Sequence, residues 1–147
     1  MKMFRCAAAL AAAGCIAVAT PALAQNFPMT NGDYIDVTSV TIDDGHNLDY
    51  ATSLAGQWKD QEEFAKAQGW IISYSVLQNV NKRPGEPDLY LVTHMKSIPD
   101  AAEQARRDQV VKDHVKMTDA QMEAGSGDRA KYRHVIGSML LQELKFK

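Results

Sequence analysis

Three consecutive stretches, WIISYSVLQNV (70–80), NKRPGEPD (81–88) and LYLVTHMK (89–96), decide the fold. The outer two are rich in β-branched and aromatic residues, and the middle one holds two prolines and a glycine. That pattern predicts two strands joined by a turn, a long hairpin. Neither strand has a cleanly polar face. Ile71, Ser73, Ser75 and Leu77 alternate with Trp70, Ile72, Tyr74 and Val76. Leu89, Leu91, Thr93 and Met95 alternate with Tyr90, Val92, His94 and Lys96. A sheet wetted on one side alternates apolar with polar residues, so both faces of this hairpin are expected to be covered.

Upstream of the hairpin, YIDVTSVTI (34–42) reads as a first strand between turn-forming residues. Asn47 can cap a helix running to about residue 68, with Leu48, Ala51, Leu54, Ala55, Trp58, Phe64 and Ala65 near one face and Gly69 as its C-terminal cap. Downstream, Pro99 belongs in the first turn of a second helical segment. There the pairs Glu103/Arg107 and Asp108/Lys112 mark a solvated face. Thr118 and Gln121 resemble a capping box. Gly125-Ser126-Gly127 is expected to break that helix, which resumes over 128–136 and ends at Gly137. MLLQELKF (139–146) reads as the last strand, again apolar on both faces. The order β-α-β-β-α-β predicts an α+β, ferredoxin-like domain: a four-stranded antiparallel sheet with helices on one face. The other face then needs a second subunit or an apolar ligand, since leaving it wet costs a few kcal/mol.

The chain opens with Lys2 and Arg5, followed by an unbroken run of apolar and small residues from Cys6 to Ala19 and then Thr20-Pro21-Ala22-Leu23-Ala24. A positive start, a short apolar core and an A-x-A end are the parts of a secretory signal peptide, with cleavage expected after Ala24. Two rivals fit less well. Ala12-Ala13-Gly14-Cys15 loosely resembles a lipoprotein box but lacks its leucine, and an uncleaved anchor would be Ala-rich with Thr and Pro near its end. Residues 25–33 read as a flexible leader, so the working domain is expected over 34–147, periplasmic or secreted. Cleavage removes Lys2 and Arg5, leaving 14 of the 16 basic residues against all 18 acidic ones, a formal charge of −4. That balance, with no basic block, argues against nucleic acid and anionic membrane as partners. Both cysteines lie in the signal, so the mature domain has no disulfide, no thiolate nucleophile and no cysteine metal site.

Several of these residues carry a resemblance. Trp58 and Glu62 in the first helix, Gly69-Trp70-Ile71-Ile72-Ser73-Tyr74, Asp88-Leu89-Tyr90-Leu91-Val92, and Met95-Lys96-Ser97-Ile98-Pro99-Asp100 together resemble the dimeric α/β-barrel superfamily. That superfamily includes stress-responsive barrel, NIPSNAP-like and antibiotic-biosynthesis-monooxygenase-like proteins. The resemblance covers roughly residues 34–147 and is one of pattern and topology. It implies a homodimer whose two sheets enclose a lumen for a small apolar or aromatic molecule. Some members carry His-Pro-x-His in the second helix; here Lys112-Asp113-His114-Val115 keeps one histidine and lacks the proline.

Within that frame His94 is the leading candidate for chemistry, with Tyr90 beside it as a catalytic partner. If Met95 packs under the helices, His94 faces the lumen, where it can act as a general base or ligate haem iron. Its ordinary alternative is a hydrogen-bonded structural histidine. Tyr74, Val92 and His114 are the expected ligand contacts, against the plainer readings of sheet packing for Tyr74 and a charged surface for His114. Arg129 and Arg133, four apart, read as a solvated or salt-bridged face, with an anionic ligand as the alternative. Asp43-Asp44-Gly45-His46 lacks the alternating ligands of a calcium loop, and the four histidines lack short metal-ligand spacing. Phosphate-loop, H-E-x-x-H, C-x-x-C-H and G-x-S-x-G motifs are absent. The expected function is binding of a small apolar or aromatic molecule, with no cofactor. The alternative is a cofactor-free oxygenase- or cyclase-type enzyme, or a haem-binding variant, using His94 and a tyrosine.

Overall fold

The computed structural model describes residues 27–147; the expected signal peptide lies outside them. Four strands, β1 (Met29–Ile42), β2 (Ser73–Gln78), β3 (Leu89–Met95) and β4 (Arg133–Phe146), form one antiparallel sheet in the order β2-β3-β1-β4. Between β1 and β2 the chain is helical as α1 (Asn47–Ser53), a π turn (Leu54–Trp58) and α2 (Lys59–Ala67). Between β3 and β4 come α3 (Ala101–Val115) and α4 (Asp119–Ala130). The fold is therefore α+β, as the sequence predicts.

Local signals explain most boundaries. Gly69 takes φ +73°, the left-handed conformation of a helix C-terminal cap. The Trp70 amide donates to the Ala65 carbonyl and the Gly69 amide to that of Lys66, which closes α2. Asp100 caps α3 by accepting from the Glu103 amide at 2.8 Å. Thr118 and Gln121 form the capping box of α4. The hairpin turn is pinned to the sheet by Asp88, whose carboxylate accepts from the Ile42 amide at 2.9 Å and from Lys82 at 2.8 Å.

Several expectations are corrected. Asn47, expected as a cap, is the first residue of α1 after His46, and Pro99, expected in the first turn of the second helix, precedes the Asp100 cap. β1 begins at Met29, inside the stretch read as a leader, because Met29–Asn31 pair with β4 residues Leu144–Phe146. α4 runs unbroken through Gly125-Ser126-Gly127, since two glycines raise the cost of a helix by about 1 kcal/mol each without forbidding it. The stretch 133–136 is strand, not helix. Arg133 and Val135 pair with Ile42 and Val40, and Gly137 pairs with Ser39, so Ile136 is the extra residue of a bulge and Gly137 lies beside it.

The register sorts side chains onto two faces, since directly opposed residues in antiparallel strands point the same way. One face carries Val40, Leu89, Leu91, Thr93 and Tyr74. Val40, fully buried, forms the core with Tyr50 and Leu54 of the first helical segment. Leu48, expected on the core face, is 76% exposed, while Tyr50 is 2% exposed. The helix is rotated so that the larger ring, not the leucine, meets the sheet. Every side-chain hydrogen bond and ring contact between helix and sheet among the described residues falls on this face. The other face carries Ile35, Val37, Tyr90, Val92, His94, Leu77, Met139 and Leu141.

Candidate functional site

The first helical segment does not lie straight across the sheet. Gly56 interrupts it at φ −95°, ψ −105°, and the residues around it widen into the π turn. Such turns are rare and recur at functional sites. Leu54 and Trp58, at the two ends of the turn, project toward the sheet with a hollow on either side.

The larger hollow is a cleft of about 750 Å³ between this segment and the β2 side of the sheet. Its size matches that of small-molecule sites. Ala51 and Ala55 line the helical wall, and their short side chains leave the space that Val76 and Leu89 border from the sheet. Trp58 and Tyr74 meet edge to face at the cleft, centroids 5.4 Å apart and planes at 86°. That is a favourable aromatic geometry and offers ring surface to a flat apolar guest. The Tyr74 hydroxyl donates to Glu63 Oε1 at 2.5 Å, and this bond, reinforced by burial, pushes the phenol up to about 12. Tyr74 therefore contributes its ring, while its hydroxyl is held by Glu63. Lys59, Asn47 and Gln78 provide polar groups at the lining.

Beside the cleft, Glu62 reaches under the sheet and accepts from the Thr93 hydroxyl at 3.4 Å. Burial, with the nearby charge of Asp36, raises its pKa above the usual carboxylate range.

The sequence-chosen residues divide between the two faces. Tyr90, Val92 and His94 share the open one. Tyr90 and His94 are four residues apart on one strand, a separation of roughly 13 Å at about 3.3 Å per residue. They are therefore not brought together on one reacting group. Tyr74 is on the helix-covered face and lines the cleft. His114 is away from both places. It stacks on Phe64 at 3.9 Å, and its Nε2 lies 3.2 Å from Asp60 Oδ2, joining α3 to α2. In the N-terminal half of the same helix Arg107 and Arg106 cover Trp70, at 5.2 Å and 5.8 Å from its ring centroid.

Sequence reasoning assigned Ala51, Ala55 and Trp58 to the core. The usable signal was the pair of alanines flanking Leu54 on an otherwise bulky apolar face, which is a place where packing runs short. Among the described residues no group of three or more potential metal ligands occurs, and no helix is long and apolar enough to cross a membrane.

Fold and hollows together define an α+β single-sheet protein with a ligand-sized cleft under its first helix. No family model, curated protein or solved structure matches the chain.

Proposed function

We propose that this protein is an exported, ferredoxin-like binding module that holds a small apolar or aromatic molecule, and that it works as a homodimer of the α/β-barrel kind. The observation that carries the binding reading is the cleft, with Trp58 and Tyr74 at right angles and alanines where larger side chains would fill it. A lumen between two sheets is the other place for the guest. The cleft is favoured because it is a formed hollow within one protomer.

The pairing rests on the open face and on β4. Met139 and Leu141 on the open face, with Val135 and Leu140 on the other side of the same strand and Leu144 and Phe146 at its end, are all about half exposed or more, on a 14-residue strand at the edge of the sheet. Long exposed apolar edges invite another chain. Covering these side chains is worth on the order of 1 kcal/mol each, enough in sum to hold a dimer. A second copy is the economical cover, because a two-fold contact uses the same patch twice.

The test is titration with N-phenylnaphthylamine, an apolar fluorescent probe, of the exported protein and of Ala55→Leu, which fills the cleft from the helix side. Saturable binding by the parent and a loss of about tenfold or more in the variant, equivalent to about 1.4 kcal/mol, with an unchanged circular dichroism spectrum, is the expected result. Equal binding by the two proteins would remove the cleft as the site.

A further inference from the structure

The second hollow, on the β4 side of Leu54 and Trp58, differs in kind from the cleft. It is small, about 100 Å³, and two guanidinium groups line it, those of Arg129 at the end of α4 and Arg133 at the start of β4. In a chain with 18 acidic and 16 basic residues, arginines ordinarily find carboxylates. Among the described residues neither of these does. Asp128, next to Arg129, is bonded to Lys131 at 2.8 Å, and Asp43, near the start of β4, to His134 at 3.0 Å. Arg129 Nη1 instead donates to the amide oxygen of Gln57 at 3.3 Å. Arg133 Nε is buried and has no hydrogen-bond partner among the described residues. A buried guanidinium donor without an acceptor is costly, by about 1–3 kcal/mol or more for a charged group.

The remaining lining decides what acceptor fits. Ser53, Gln57 and Gln61 add neutral polar groups, and no carboxylate lines the hollow among the described residues. The opposite walls are apolar, formed by Leu54, Leu91 and the buried Tyr50 ring, over which the Arg133 guanidinium sits at 5.9 Å. Burial raises the Tyr50 phenol, and the charge of Arg133, a hydrogen bond from its guanidinium and the charge of Arg129 oppose that rise. Two guanidinium charges thus border a hollow about half of whose wall is hydrocarbon. A fully hydrated oxyanion such as phosphate satisfies the arginines but leaves the apolar wall facing polar oxygens. A carboxylate carrying a short hydrocarbon stub satisfies both, with its two oxygens matching the guanidinium fork.

We propose that Arg129 and Arg133 form a site for the carboxylate of a small apolar acid, with Leu54, Leu91 and Tyr50 receiving its hydrocarbon part. The site is separate from the cleft and does not depend on the cleft's being occupied, although Leu54 and Trp58 border both.

The experiment is calorimetric titration of the full exported protein with sodium butyrate at constant ionic strength. Phosphate and chloride serve as controls, and the Arg Nε–H signals are followed by NMR. The expected result is saturable butyrate binding with a shift of the Arg133 Nε–H resonance, while phosphate and chloride give no saturation. Arg129→Lys keeps a positive charge but loses the fork, and is expected to weaken butyrate by about tenfold. Arg133→Gln abolishes the binding; should it fail to fold, Arg129→Lys and the resonance shift carry the test. Absence of saturable butyrate binding, equal affinity in Arg129→Lys, or phosphate binding as tightly as butyrate would each overturn the proposal.

Discussion

The two faces of the sheet have nearly the same apolar content and very different surroundings. On one, Val40, Leu89 and Leu91 meet Tyr50, Leu54 and Trp58, and the packing closes around a core with a hollow at each side. On the other, Val37 and Val92 are buried, yet Leu77, Met139 and Leu141 remain about half exposed, and among the described residues no helix side chain bonds to the face. The first face is buried around this core within one chain, with Val76, Val135 and Leu140 left 40–52% exposed away from it, and the second face has no such core against it among the described residues. The stability of the protomer therefore depends on the first face, and the second is available for association.

That contrast can be broken at several points. The largest effect is expected from Tyr50→Ala, which empties the centre of the covered face. Loss of a buried aromatic ring typically costs 3–5 kcal/mol, so the denaturant midpoint should fall sharply, to the edge of unfolding for a domain of about 120 residues. A change no larger than that of a surface substitution would mean that the core lies elsewhere. Next is Leu141→Glu on the open face. A charge there opposes pairing, so the proposed dimer should dissociate, with a rise in Kd of tenfold or more, about 1.4 kcal/mol, while the urea unfolding of the dilute protein barely moves. Sedimentation at several concentrations reads this directly, and unchanged association would move the interface off β4.

A smaller effect is expected from Glu62→Gln. Glu62 has a folded-state pKa raised above its unfolded value, first by burial and then by the charge of Asp36. Its protonated form is favoured in the fold, so the stabilising contribution is present below the unfolded value and is lost as pH rises through the folded one. The glutamine variant should therefore be more stable than the parent at pH 7, and the difference should vanish near pH 4. Thermal unfolding at both pH values measures it; an equal difference at both would assign the effect to packing.

Much of the fold is legible in the sequence where the signal is local. The hairpin, the Thr118 capping box and the Gly69 stop each depend on a few neighbouring residues, and each is where the pattern places it, whereas Pro99 stands one residue before the Asp100 cap rather than in the first turn of α3. The misreadings concern competition between local and long-range forces. Gly125-Ser126-Gly127 is a weak helix former but is held between a strong cap and a strand that must begin at Arg133. Ile136 and Gly137 suit a helix end as well as a bulge, and only the pairing with Ser39 and Val40 chooses between them. Tyr90, Val92 and His94 were placed together by simple alternation, which a strand obeys. Tyr74 lies on the opposite face from them, opposite Thr93, and alternation within one strand does not fix its phase relative to the next. Hollows are harder still. Ala51, Ala55, Arg129 and Arg133 become neighbours of empty space only when helix and sheet are set against each other.

The most direct test of the whole account is the binding of N-phenylnaphthylamine to the Leu141→Glu protein, with native mass spectrometry reading subunits and bound probe together. The account predicts a monomer that carries one probe molecule with an affinity within about twofold of the parent's, less than about 0.5 kcal/mol of change, because the cleft belongs to the covered face of a single chain. A monomer that has lost the probe along with its partner would contradict it and place the ligand between the two sheets.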